Sequence, residues 1–419
     1  MPCQKFSVPY GQSISRFMAL VVLVLAAVAT PSARAQTFTV LHTFKGGPDG
    51  QDPLYGSLIL DAQGNLYGMT SLGGGGACTG GCGTVFQLSA TGRETVLYSF
   101  TGTGGDGKYP YGSLVRDTAG NLYGTTYGGG TSGSACNGYG CGTVFMLDPA
   151  GKETVLYSFT GGVDGATPQA GLIRDAAGNL YGTTYLGGAY NWGTLFVVDT
   201  SGNETVLHNF DGLAGDGGDV VGGLISDSAG NFYGTTQGGG NSGCDPNVNI
   251  GCGTVYRITP SGTETVLFRF SYAGVVGQWP GEERLLRDSD GNLYGTSQGG
   301  HQGAGWGTIF KLDRAGNFTL LHTFTGGASG GNPWAGLIAD RAGNLYGTTP
   351  EGGGTGCPGG CGTVFKLGAN GKFTVLHRFT GAADGGWPWG GLVLDRAGNL
   401  YGTAEIGGRG DGTVFKITR

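Results

Sequence analysis

Seven near-copies of one short string constrain this chain more than anything else in it. Gly-Asn-Leu-Tyr-Gly begins at Gly64, Gly120, Gly178, Gly291, Gly343 and Gly398, and a variant with Phe232 in place of Leu begins at Gly230. The copies are 52 to 61 residues apart. Three other strings keep step with them. Gly-Thr-Val-Phe or a near variant begins at Gly83, Gly142, Gly193, Gly253, Gly307, Gly362 and Gly412. Thr-Val-Leu-x-x-Phe or a near variant begins at Thr39, Thr95, Thr154, Thr205, Thr265, Thr319 and Thr374. A Leu-led string closes on Asp61, Asp117, Asp175, Asp227, Asp288, Asp340 and Asp395. Each unit therefore offers four short apolar runs separated by turn residues, and such runs read as strands. A four-stranded unit repeated seven times predicts an all-β, seven-bladed β-propeller.

We letter the strands of a blade a (ending on the Asp), b (Asn-Leu-Tyr-Gly), c (Gly-Thr-Val-Phe) and d (Thr-Val-Leu-x-x-Phe). The first d strand, near Thr37 to Phe44, precedes any complete blade, and the chain reaches Arg419 on a c strand. The N-terminal strand is thus expected to close the ring, with Thr39–Phe44 antiparallel to Gly412–Ile417 and the sheet edges hidden. The a–b and c–d connections are tight Gly-centred turns and define one face. The longer b–c and d–a loops define the other, where binding residues usually sit.

Glycine fills 93 of 419 positions. That abundance usually signals low complexity, but 38% hydrophobic residues supply a core and no Gly-X-Y period is present. Helix-rich folds are disfavoured by the same glycines.

Residues 1–35 are expected to be a secretory signal peptide. Lys5 and Arg16 precede an apolar run from Phe17 to Ala29, and Ala33-Arg34-Ala35 supplies a cleavage signal before Gln36. Residues 36–419 would then be a single propeller, secreted to the periplasm or the extracellular space. No later stretch is long enough to span a bilayer. Without its first 35 residues the chain has 20 basic and 29 acidic residues, a net charge of −9, which makes nucleic acid a poor partner. A monomer is expected.

Gly-Asn-Leu-Tyr-Gly-Thr-Thr, Cys-Gly-Thr-Val-Phe-Lys-Leu and Thr-Val-Leu-His-x-Phe resemble the GloVer-type tandem repeat of secreted bacterial proteins, a choice-of-anchor repeat family, across residues 37–419. The Asp-x-x-Gly-Asn-Leu-Tyr hairpin is also similar to that of NHL and SMP-30-like propellers. The first resemblance implies an exported surface protein without an established activity. Many such proteins look anchored through a C-terminal sorting segment; this chain ends on a strand at Arg419, so that anchor is not expected here.

Eight cysteines follow Cys3. They pair as Cys78/Cys82, Cys136/Cys141, Cys244/Cys252 and Cys357/Cys361, each in a b–c loop. An even count in an exported chain predicts disulfides. The pairs are too dispersed around a ring to share a zinc ion, so no metal site is expected. Trp192, Trp306 and Asp411 stand where blades 3, 5 and 7 lack the second cysteine.

Three residues before each strand-a Leu stand Tyr55, Tyr111, Gln169, Val221, Glu282, Trp334 and Trp389. These should ring the mouth of the central channel, with Tyr55, Tyr111, Trp334 and Trp389 forming an aromatic arc. Such rings suit stacking on sugars, and they equally suit packing between blades. Blade 5 breaks the pattern with Glu282, Glu283 and Arg284, and its b–c loop holds His301, the only histidine on the loop face. This group is an acid–base candidate, with a solvated charge cluster forming an Arg–Glu pair as the favoured reading. Acids recur in the d–a loops at Asp49, Asp106, Asp164, Asp216 and Asp384, with Asp52 and Asp219 in addition. They offer oxygen ligands of the kind calcium takes, or plain turn chemistry. No other cofactor is implied. Asp288–Asn292 resembles the start of an EF-hand loop but lacks the closing Glu, and no Gly-Lys-Ser/Thr follows the glycine runs.

The leading expectation is a secreted, non-catalytic propeller whose loop face binds a glycan or surface partner. A polysaccharide lyase or hydrolase working at the channel mouth, and a structural cell-surface repeat protein, are the alternatives.

Overall fold

In a computed structural model of the chain, the described residues are 36–419, apart from 131–135, 137, 214, 241–243, 245–250, 272–276, 282, 300–304 and 409. The segment expected to be a signal peptide lies outside them, as do Glu282 and His301.

Seven antiparallel sheets each carry four strands in the order a-b-c-d, and in blade 5 Gln278–Pro280 adds a fifth by pairing with strand b. In blade 1 the strands are Ile59–Leu60, Leu66–Thr70, Thr84–Leu88 and Glu94–Ser99, and the remaining blades repeat this plan. Strand a keeps only two paired residues in every blade, shorter than its sequence run, because the following Asp turns the chain. Blade 7 is completed from the N-terminus. Thr37–Thr43 pairs with Thr413–Thr418 in antiparallel register, Thr37 opposite Thr418 and Thr43 opposite Thr413, and Phe44 N donates to Gly412 O at 3.0 Å. The expected closure of the ring is therefore present.

The repeated Asp is the keystone of the a–b turn. In blade 1, Asp61 accepts from Asn65 N at 2.8 Å, from Asn65 Nδ2 at 2.9 Å and from the Tyr67 hydroxyl at 3.0 Å. The same three bonds recur at Asp117, Asp175, Asp227, Asp288, Asp340 and Asp395. Burial opposes the charge on Asp61, yet the donated bonds outweigh it and hold the carboxyl below its usual range. Asn and Tyr are thus fixed by one acceptor, which accounts for the spacing Asp-x-x-x-Asn-x-Tyr.

The core lies between blades. The d-strand Phe of one blade meets the c-strand aromatic of the next edge-on, as in Phe100–Phe145 and Phe379–Phe415, both with centroids 5.2 Å apart. The c-strand ring also covers the Gly that follows Tyr. A Cβ at Gly124 would stand 2.8 Å from Phe145 Cζ, so this position must be glycine. Every c–d pair contains a register shift, between Val85 and Phe86 in blade 1. The bulge increases strand twist, and a blade that fans outward from an axis needs that twist.

On the outer rim two chemistries share one contact. One residue at the start of strand d meets the d strand of the preceding blade. At four consecutive interfaces that residue is Glu94, Glu153, Glu204 or Glu264, beside an Asp of the d–a loop. At the other three it is a Phe stacked on its neighbour. Phe318 lies on Phe268 at 4.7 Å, Phe373 on His322 at 3.9 Å and Phe38 on His377 at 3.7 Å.

The four cysteine pairs are bonded, Cys78–Cys82, Cys136–Cys141, Cys244–Cys252 and Cys357–Cys361. The sulfurs of Cys78 and Cys82 cover Gly102 of the next loop, where a Cβ would approach them to 3.0 and 2.8 Å. In blade 3 the Trp192 indole covers Gly212 in the same way. A disulfide and an indole are thus interchangeable lids over a loop glycine.

Candidate functional site

The mouth of the channel is built by the turn that enters each strand a. Seven residues at one repeat position take left-handed φ angles of 49° to 56°: Asp52, Tyr109, Thr167, Asp219, Trp279, Asn332 and Trp387. Each donates its N–H to the carbonyl just before strand c of the preceding blade, at 2.6–3.2 Å. These bonds offset the strain of a non-glycine residue in that region. They also fix the direction of the next few residues, which reach the mouth.

Tyr55, Tyr111, Gln169, Val221, Trp334 and Trp389 all line one cavity there, together with Glu283 and Arg284. Of the seven expected ring positions only Glu282 falls outside the described residues. The four aromatic side chains converge. Trp334 and Trp389 meet edge-on with centroids 5.1 Å apart, and Tyr55 and Tyr111 at 5.4 Å. Tyr55 stands 6.1 Å from each tryptophan. Tyr127 extends the cluster at 5.2 Å from Tyr111. All four arc residues are half-buried. The space left between them is only about 30 Å³, room for a water or two.

The rim is acidic. Trp389 Nε1 donates to Glu405 Oε2. Burial raises the Glu405 carboxyl, the indole bond pulls it back, and the charge of Asp52 raises it further. Burial likewise raises Asp52.

Below the rings Glu283 crosses the axis. It leaves blade 5 and accepts from Ser57 Oγ of blade 1 at 2.7 and 2.9 Å, and from Gly336 N of blade 6 at 3.3 Å. A Cβ on Gly391 of blade 7 would come within 2.3 Å of its Oε2, so the carboxylate rests on bare backbone. Glu283 and Arg284 line both the mouth and a second cavity of about 630 Å³, walled by strand-a aliphatics of blades 1, 4, 5, 6 and 7. They partition the channel. Sequence reasoning placed Glu283 near the axis but had no signal for Ser57, whose partner is 226 positions away.

The d–a loop acids are engaged by their own loops. Asp106 accepts from Thr101 N and the Tyr98 hydroxyl, and Asp164 from Thr160 N and the Tyr157 hydroxyl. Asp384 accepts from Thr380 N and meets His377 Nε2 at 3.1 Å. Of the acid–base candidates, Glu283 and Arg284 sit at the axis as described, and Glu282 and His301 lie outside the described residues. Among the described residues no helix is long and apolar enough to cross a membrane.

A family model, the Gloeobacter/Verrucomicrobia repeat, matches residues 28–173, 134–281 and 245–419. No curated protein matches the sequence. Among solved structures, the chain is similar to two from B. thetaiotaomicron described as extracellular domains. One, of a hybrid two-component system, is 16% identical with a TM-score of 0.56, covering 91% of this chain and 41% of that one. The other, of a one-component system, is 11% identical with a TM-score of 0.53, covering 91% and 40%. The chain therefore spans about two fifths of the length of these structures. A gluconolactonase from Xanthomonas campestris is 15% identical with a TM-score of 0.44, covering 91% and 89%. At these identities the likeness is one of fold.

Proposed function

Since this chain belongs to the Gloeobacter/Verrucomicrobia repeat family, we propose that it is an exported, non-catalytic propeller that holds a glycan or surface partner across the mouth of its channel. The observation that carries this reading is the convergence of Tyr55, Tyr111, Trp334 and Trp389 from four different blades. Half-buried rings present apolar faces with polar edges, which match the C–H faces and hydroxyls of a sugar. The space between the rings is too small to admit a sugar ring, so the ligand lies over the rings rather than inside the channel. Asp52 and Glu405 stand at the rim as hydroxyl acceptors.

Export is supported by the signal-like layout of residues 1–35 and by the four disulfides, which persist in oxidising compartments. Mass spectrometry of the secreted protein should find Gln36 at its N-terminus.

The alternative, a polysaccharide lyase or hydrolase, would use Glu282, Glu283, Arg284 and His301. The bonds of Glu283 to Ser57 and Gly336 support a crossbar role for that carboxylate instead. A structural cell-surface role needs no mouth ligand at all. A glycan array probed with the wild type and with Trp334→Ala/Trp389→Ala separates these readings. Binding reduced tenfold or more in the variant supports the arc. Equal signals, or none from either, remove it.

A further inference from the structure

Two of the four Glu-bearing rim interfaces differ from the other two in a way that points to a cation. His42, Asp49 and Glu94 gather where the N-terminal strand meets blade 1, and His208, Asp216 and Glu264 gather between blades 3 and 4. In each group one ligand atom from every residue lies within 4.8 Å of the others. The two groups occupy the same repeat positions.

We propose that each group is a zinc site, with the histidine Nε2 and the two carboxylates as protein ligands and a water or external ligand in the fourth place. Three observations converge on it. First, the spacing fits. His42 Nε2–Asp49 Oδ2 and His208 Nε2–Asp216 Oδ2 are both 3.4 Å, and zinc bonds of about 2.0–2.2 Å put tetrahedral neighbours about 3.3–3.6 Å apart. Secondly, His42 Nε2, Glu94 Oε1, His208 Nε2 and Glu264 Oε1 are buried without a hydrogen bond of good geometry, which is costly for polar atoms. The equivalent oxygens of Glu153 and Glu204, and His322 Nε2, are in the same state, so what sets these two groups apart is that the orphaned nitrogen and the orphaned carboxylate oxygen face one aspartate together. Thirdly, the molecule contains its own controls. At His377 the facing Glu is replaced by Phe38, and the histidine closes to a direct 3.1 Å bond with Asp384. At the other two Glu interfaces a tyrosine replaces the histidine. Tyr98 and Tyr157 donate to Asp106 and Asp164 at 3.1 and 3.0 Å. Burial and the nearby carboxylates hold both phenols above their usual range, so they donate protons rather than ligate.

The aspartates are oriented for this role from behind. Asp49 Oδ2 accepts from Lys45 N at 2.9 Å, and Asp216 accepts from Asp211 N at 3.0 Å and from Gly217 N at 2.6 Å. Such outer bonds hold a ligating carboxylate in place. Imidazole with carboxylates suits zinc, and two carboxylates with a neutral imidazole balance a divalent charge.

The test uses His→Phe substitutions, because blade 4 carries Phe268 at this repeat position and shows that the ring accommodates it. Purified protein stripped with chelator is dialysed against zinc chloride and its metal content measured, with thermal melting recorded in parallel. The wild type should take up two zinc ions per chain, His42→Phe and His208→Phe one each, and the double variant none. His322→Phe, whose loop offers Ser329 rather than an acid, should still take up two. Zinc should raise the melting temperature of the wild type and leave the double variant unchanged. No uptake by the wild type, or undiminished uptake by the folded double variant, overturns the proposal.

Discussion

From blade 7 round to blade 4 the outer rim is joined by acids; from blade 4 back to blade 7 it is joined by stacked rings. The two arcs fill the same geometrical contact, since Glu94 and Phe38 occupy the same strand position. The contrast shows where the repeat tolerates change. The Asp–Asn–Tyr turn, the glycine under the ring and the contact between the d-strand Phe and the next blade's c-strand aromatic hold through all seven copies. Between blades at the rim, the scaffold needs only a filled contact, so its chemistry is free to diverge. One arc gains stacking energy. The other keeps carboxylates that burial disfavours, an arrangement expected of a site rather than of a core.

The N-terminal strand belongs to both arcs, since Phe38 ends the stacked one and His42 opens the acidic one. Deleting residues 36–44 should therefore have the largest effect, lowering the melting temperature by on the order of 10 °C. An unchanged value would break the closed-ring description.

A single change in the stacked arc comes next. Phe373→Ala loses the face of His322 and the edge of Phe324, and should cost about 2–3 kcal/mol by urea unfolding. Its counterpart Glu153→Ala should stay within about 0.5 kcal/mol at pH 8. Equal losses would erase the distinction between the arcs.

The smallest effect is a change of pH profile. Burial, then the charge of a neighbouring aspartate, pushes Glu153 and Glu204 up to about 7. The native state therefore holds protons that the unfolded chain, with carboxyls near 4.5, has released. The associated stability is fully present below about pH 4.5 and is lost as pH rises through 7. Glu153→Gln/Glu204→Gln should flatten the fall in melting temperature across that window. A variant as steep as the wild type would show that these carboxyls titrate normally.

Much of this was legible in the sequence because it recurs. Four strings recurring in step every 52 to 61 residues mark the blades, their order and the closing strand. Counting three residues back from each strand-a Leu brought Tyr55, Tyr111, Trp334 and Trp389 together at one mouth. What repetition does not carry stayed hidden. The left-handed residue before each strand a is Asp, Tyr, Thr, Asp, Trp, Asn or Trp, so no residue type marks it; the proline that follows six of the seven was the available signal. Ser57 and Glu283 meet across the axis, a contact set by the radius of the ring and not by any spacing along the chain. The His–Asp–Glu groups draw on two adjacent units, and reading units one at a time separates them.

The closing strand also sets a timetable. Thr37 and Thr418 are partners 381 positions apart, so a chain made from its N-terminus carries an unpaired outer strand while six other blades assemble. Loop-closure entropy grows only slowly with length, and the finished ring loses little by this arrangement. The delay is kinetic. Until Thr413–Thr418 arrives, Thr37–Thr43 is an open template for another chain. The interval between synthesis and closure, rather than the mature ring, is when this protein is most exposed to aggregation.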